Sequence, residues 1–294
     1  AYQQALTGTI SLNASPAYAD YVQYEQERFD SEIYQKARAY WDQNLQQESE
    51  SIALFQTDNQ VTTRAVRQRV SIGQARMDAL DALVQETPFR SFSPNMTYAN
   101  LFMALMSGFL HRITGHDAIR LGTPMLNRPN KKFRRTPGLF MEVVSMFLGF
   151  DEDETLSSLV QKVATESFEA LQNMQAGITS ADNNRAFDVL VNYVTTQYAD
   201  FADMPTEAIW LHPGHGDSHH QLRLQIHDMN QTGIFELLFD FNTSAFSPAE
   251  QQLMIDRFLM FVDTCIAHPT QPLHQIAILT DAEIVRNQQF NQTD

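Results

Sequence analysis

A single cysteine, Cys265, stands among 294 residues, so no intrachain disulfide framework is open to this protein. It lies inside the apolar run RFLMFVDTCIA and reads as a buried structural thiol in a reducing compartment. Basic residues are also scarce. Twenty Lys and Arg face 35 Asp and Glu, a formal charge of −15 that would repel a polyphosphate and excludes general nucleic-acid binding. No run reaches the roughly 18 apolar residues that span a bilayer, and no signal-peptide pattern opens the chain. No membrane partner and a cytoplasmic location are therefore expected. There is no P-loop, no GxGxxG and no GxSxG elbow, which leaves nucleotide binding and the hydrolase elbow without support. The first residue is Ala1 rather than Met, which reads as a fragment of a longer protein or a processed product.

What is present is ample for a core: 43% of residues are apolar and 11% aromatic. From Tyr18 to Leu45, aromatic and apolar residues recur at spacings near three and four, which predicts one long amphipathic helix. Residues 61–72 read as a strand with one wet face, followed by helices over about 74–86 and from Thr97 to the Gly115 stop. AIRLGTPM and AFDVLVNYV read as strands. Between them DEDETLSSLVQKVATESFEALQNM predicts a helix whose acids suit its positive end. LRLQIHD and IFELLFDF, joined by a turn holding Gly233, predict a β-hairpin. Ser247-Pro248-Ala249-Glu250 then combines an N-cap, a first-turn proline and a capping-box glutamate. Strands alternating with helices predict an α/β fold, and the hairpin makes its sheet mixed.

Two clusters carry chemistry. The segment from His212 to His220 holds four imidazoles and Asp217, the ligand types of zinc. Its glycines and proline make it a loop without a helical His-x-x-x-His pair, so a solvated loop and no metal are expected. Six cations fall between Arg120 and Arg135 with no acid among them: Arg120, Arg128, Lys131, Lys132, Arg134 and Arg135.

Several motifs, in order, resemble those of condensation domains of nonribosomal peptide synthetases. Tyr18-Ala19-Asp20-Tyr21 is similar to YxDYAxW, and Tyr40-Trp41 with Leu45 to its YW…L continuation. Gly122-Thr123-Pro124 followed by Arg128 is similar to GTPxxxR, and Gly138-Leu139-Phe140 to the start of GxFVNTLPLR. Asp240 to Phe246 resembles the YNTxLF hairpin end. His268-Pro269, Leu279 to Glu283 and Phe290-Asn291-Gln292-Thr293 resemble the family's exit toward an adenylation domain. Two departures stand out. Glu142 to Phe147 replaces Asn-Thr-Leu-Pro-Leu-Arg, so that Ser145 stands for the proline and Phe147 for the arginine. HHxxxDG is absent, since in His219-His220-Gln221-Leu222-Arg223-Leu224 the aspartate position is Leu224.

The resemblance implies a chloramphenicol-acetyltransferase-like lobe with a mixed sheet flanked by helices. Residues 1–17 would end an N-terminal lobe, 18–279 form the C-terminal lobe, and 280–294 lead toward an adenylation domain. It implies amide formation between carrier-bound thioesters in secondary-metabolite synthesis, without metal or directly bound cofactor. The family's catalytic histidine would lie upstream of Ala1, so this segment by itself is expected to be inactive. Gly138, Phe140, Glu142 and Ser145 would line the substrate channel, with Glu142 either an exposed polar position or a carboxylate facing the channel. Arg128, Lys131, Arg134 and Arg135 would meet an acidic carrier protein and the phosphodiester of its phosphopantetheine arm. Other readings are a docking module without chemistry, or an epimerization-type relative. Val191-Asn192-Tyr193 faintly echoes the FNYLG motif of the latter, whose EGHGRE and GWFTxxYP signatures are absent.

Overall fold

In a computed structural model, residues 6–8, 15–55, 61–198, 200–201 and 204–290 are described. Most of the opening AYQQALTGTISLNASPA and residues Asn291 to Thr293 of the exit motif lie outside them. Among the described residues six strands form one sheet: β1 (Ala65–Ser71), β2 (Ala118–Leu126), β3 (Met141–Gly149), β4 (Val189–Val194), β5 (Leu222–His227) and β6 (Glu236–Asn242). Their order is β1-β6-β5-β4-β2-β3, with β2/β4 and β4/β5 parallel and the other pairs antiparallel. The mixed α/β sheet expected from the sequence is present, and the β5–β6 hairpin closes over a turn in which Gly233 has φ 76°.

The α-helices among the described residues include α1 (Ala19–Gln26), α2 (Glu32–Gln46), α3 (Gln74–Leu83), α4 (Pro94–Thr114), α5 (Lys131–Arg134), α6 (Leu156–Gln172), α7 (Ala181–Arg185), α8 (Pro248–Ala267) and α9 (Asp281–Phe290). Helix α4 is the core of the molecule. Ser93 caps it, accepting from the Met96 amide at 3.3 Å; Pro94 opens it, and Gly115 ends it in the left-handed region at φ 74°. Every residue from Asn100 to Leu110 is buried against α6, α8 and the sheet. Ser247 and Glu250 form the reciprocal capping box of α8, and Thr155 and Ser158 that of α6. Cys265 is buried in α8, where desolvation pushes its thiol pKa up, as expected of an inert structural thiol.

The single helix expected over Tyr18 to Leu45 is instead two. Ser31 is extended (φ −73°, ψ 148°) and caps α2 by accepting from the Tyr34 amide at 3.2 Å. The break lets the two halves serve different partners. Tyr21 of α1 packs on Phe133 and Phe140, while Tyr34 of α2 donates to the Gly177 carbonyl at 3.0 Å. Tertiary packing overrides a periodicity that ran through the break unmarked.

Candidate functional site at one edge of the sheet

The carboxyl ends of β2 and β4 lie at the same sheet edge as the start of β3, because Leu126 pairs with Met141 and Val194 with His227. Crevices outside the carboxyl ends of parallel strands are the usual ligand sites of such sheets. Here that edge carries Gly138, Phe140 and Glu142. Gly138 has φ 153°, and a Cβ there would sit 2.2 Å from Cδ2 of Tyr18. Glycine is needed for this contact as well as for the backbone. The Tyr18 hydroxyl donates to the Leu139 carbonyl at 2.7 Å. Phe140 is buried, its ring 4.4 Å from that of Tyr21 and 5.4 Å from that of Tyr18. The Tyr18–Tyr21 segment therefore forms the seat of Gly138–Phe140.

Glu142 is held on all sides. Its carboxylate accepts from Asn127 Nδ2 at 3.1 Å, from the amides of Gly177 and Thr179 at 2.8 and 2.9 Å, and from Thr179 Oγ1 at 2.7 Å. It ties β3 to the loop before α7. Burial and then this carboxylate push up the pKa of the Tyr21 phenol, and likewise that of Glu25. Glu142→Ala strands three donors on that loop and is expected to cost about 2–3 kcal/mol. Urea unfolding measures the loss, and a change below about 0.5 kcal/mol would show the carboxylate to be dispensable for folding. Ser145 lies apart from these residues, fully buried at mid-strand, where its hydroxyl accepts from Arg120 Nη1 at 2.8 Å.

The cation cluster divides. Arg120 is buried. Arg128 turns inward, donating to the carbonyls of Phe133 and Thr136 (the latter at 2.9 Å) with its guanidinium 4.1 Å above the Phe140 ring. Lys132 pairs with Asp20 at 2.8 Å. Lys131, Arg134 and Arg135 are exposed on and just after the short α5, without an ion pair among the described residues. Beside them Leu126, Leu139 and Met141 are exposed too.

At the end of β4 the chain leaves the sheet and returns at β5, and Val194, Tyr198, Ile209, Trp210 and Met229 enclose a groove of about 640 Å³. Arg67 anchors this excursion. It grips Asp240 through Nε and Nη2 at 2.5 and 2.7 Å and donates to the Trp210 carbonyl at 3.0 Å. The histidines of the excursion part company. His212 faces Asp240 at 3.7 Å, His215 meets Thr63, His219 meets Asp217, and His220 stacks on Phe187. Among the described residues no group of three or more His, Cys, Asp or Glu is placed to hold a metal ion. No helix among them is long and apolar enough to cross a membrane.

Burial depresses two imidazoles here. His227 is buried, and its Nε2 lacks a hydrogen bond, with Glu236 at 3.6 Å. Burial lowers its pKa against the pull of Glu236, and burial likewise lowers that of His212 against Asp240. An imidazole depressed in the folded state binds protons better unfolded, so its contribution is lost as pH falls below the unfolded value of about 6.5. The urea midpoint is expected to decline between pH 7 and 5 and to decline less in His227→Gln; equal slopes for the two proteins would refute this.

A larger cleft of about 880 Å³ opens at the opposite sheet edge, between residues 45–52, 115–118 and 185–188, with Arg120 in its lining. None of the expected channel residues reaches it.

Comparison with known proteins finds relatives over most of this chain. Surfactin synthase subunit 1 of Bacillus subtilis (strain 168) is 23% identical over 282 residues, 92% of this chain but 8% of that protein. Gramicidin S synthase 2 of Brevibacillus brevis is 22% identical over 281 residues, 90% of this chain and 6% of that protein. The chain thus spans a small fraction of the curated relatives it matches. Among solved structures, the first condensation domain of the calcium-dependent antibiotic synthetase, in complex with a substrate analogue, superposes with a TM-score of 0.74 at 17% identity, covering 95% of this chain and 61% of that one. A mutant starter condensation domain of rhizomide synthetase, in complex with C8-CoA and Leu-SNAC, gives 0.75 at 20% identity, covering 95% and 63%. The family model described as "Condensation domain" matches residues 1–285. This chain belongs to the condensation domain family.

Proposed function

We propose that this chain is the C-terminal lobe of a nonribosomal peptide synthetase condensation domain, which joins carrier-bound aminoacyl or peptidyl thioesters through an amide bond. One observation supports this above the others: 95% of the chain superposes on 61% of a condensation domain, so a further lobe's worth of that domain has no counterpart here. Residues 18–279 would form the lobe, with 1–17 ending its partner and 280–294 leading toward an adenylation domain.

In the reaction the acceptor amine attacks the donor thioester carbonyl. The C–N bond forms, the C–S bond breaks, and the proton lost by the amine ends on the leaving thiol. A two-lobe channel would hold the reactants together and exclude water, because hydrolysis competes. In this reading Gly138 and Phe140, seated on Tyr18 and Tyr21, are its wall. Glu142 holds that wall to the neighbouring loop, and the histidine of HHxxxDG comes from the other lobe. Substrates would arrive on phosphopantetheine, with no cofactor bound by the lobe itself.

For the carrier, the exposed Lys131, Arg134 and Arg135 are the contact this reading favours, since an acidic carrier and a phosphodiester suit them. Arg128 is better read as the strut that shapes α5. Replacing Lys131, Arg134 and Arg135 by alanine in the two-lobe domain is expected to weaken carrier binding about tenfold at low salt, with the difference fading as salt rises. Equal affinity and equal salt slope would reduce the three to a solvated face.

A further inference from the structure

In the GxFVNTLPLR motif that residues 138–147 resemble, proline and arginine stand where this chain has Ser145 and Phe147. On β3 these two residues lie directly across from Gly122 and Arg120 of β2. Opposed residues on antiparallel strands share a face with Cβ atoms about 5 Å apart, so an arginine at either 120 or 147 carries its guanidinium into the same space. Here Arg120 does so, with its guanidinium carbon 5.2 Å from the centre of the Phe147 ring. Nη1 donates to Ser145 Oγ at 2.8 Å and Asn44 Oδ1 at 2.9 Å. Nη2 donates to the carbonyls of Asn44 and Gln47, both at 2.9 Å, and Nε to Ser49 Oγ at 3.3 Å. Every N–H of the fork is used, on α2, on the loop after it and on β3, and among the described residues no acceptor is a carboxylate. Arg120 is 4% exposed, and burial lowers its pKa. A buried cation without a counter-ion is costly, so its retention calls for a specific task. Lysine, with three donors and no planar fork, could not serve five acceptors.

We infer that Arg120 is the relocated arginine of the GxFVNTLPLR motif, a positioning residue that supplies from β2 the cation missing at position 147. Ser145, in place of the proline, offers the side-chain acceptor that proline lacks. Serine for proline, phenylalanine for arginine and Arg120 itself are then one coupled change. The relocated cation fixes the carboxyl end of α2 to the β2–β3 pair, whose other end carries Gly138 to Glu142. The relocation rests on family membership and cross-strand geometry, and stability alone reads it out, so it stands or falls apart from the proposed reaction.

Thermal unfolding of R120L, F147R and R120L/F147R tests it. R120L is expected to lower Tm by about 5 °C, because it strands the acceptors gathered on the fork. F147R alone should also lower Tm, by placing a second guanidinium beside the first. The double variant should recover at least half of the R120L loss, a coupling that independent sites do not show. Should R120L fail to fold, R120Q, which keeps a donor, carries the same comparison with R120Q/F147R. A double variant that melts no higher than the less stable of its single variants would overturn the relocation.

Discussion

Incubated alone with loaded donor and acceptor carrier proteins, this chain is expected to produce dipeptide no faster than buffer does. Its 294 residues contain no HHxxxDG, and the one adjacent histidine pair offers nothing in its place. His219 pairs with Asp217 at 3.2 Å, while His220 is buried against Phe187. The expected channel residues supply no free base either, because the Glu142 carboxylate is fully engaged by Asn127, Gly177 and Thr179. A positioned acid or base contributes roughly 10²- to 10⁴-fold. Reuniting the lobe with a partner bearing HHxxxDG should therefore raise the rate by at least that factor, read as dipeptide by mass spectrometry. Turnover by the chain alone, well above background, would contradict the two-lobe reading.

Asp240→Ala is expected to be the most destabilising single change, at about 3–5 kcal/mol. The carboxylate is 5% exposed and the Arg67 side chain 11%, so solvent cannot replace what is removed. Arg67 would lose both arms of its grip, and Gln225 Nε2 its acceptor at 2.8 Å. Arg67 also holds the Trp210 carbonyl and lies over the Trp210 ring at 5.1 Å, so the damage should spread to the excursion between β4 and β5. Faster proteolysis within residues 195–221 should accompany the lower urea midpoint. Asp240→Asn, which keeps the shape and part of the hydrogen bonding, should lose less. A loss below about 1 kcal/mol for the alanine variant would mean that Arg67 finds another partner.

Gly122 shows how position in the fold gives a small residue its importance. A Cβ there would lie 2.1 Å from the Phe187 ring, so the glycine of the GTP motif admits an aromatic ring that follows α7. The sequence marks the glycine and the structure names the ring that needs it.

What the sequence by itself determined was local. The Ser247–Glu250 box, the Gly115 stop, the β5–β6 hairpin and the alternation of strands and helices depend on partners a few residues away, so their signals lie side by side in the chain. The ordered motifs likewise pointed to the family that the match over residues 1–285 establishes. Only the tertiary structure decided what depends on distant partners. Periodicity continued through Ser31, but packing of Tyr21 and Tyr34 into separate places split the helix there. Six cations read as one run, yet three-dimensional neighbours buried Arg120, folded Arg128 inward and left Lys131, Arg134 and Arg135 at the surface. Glu142 looked isolated in an apolar stretch because its amide partners lie 35 and 37 residues further along. A buried charge or carboxylate is defined by the groups that surround it, and those groups come together only when the chain folds.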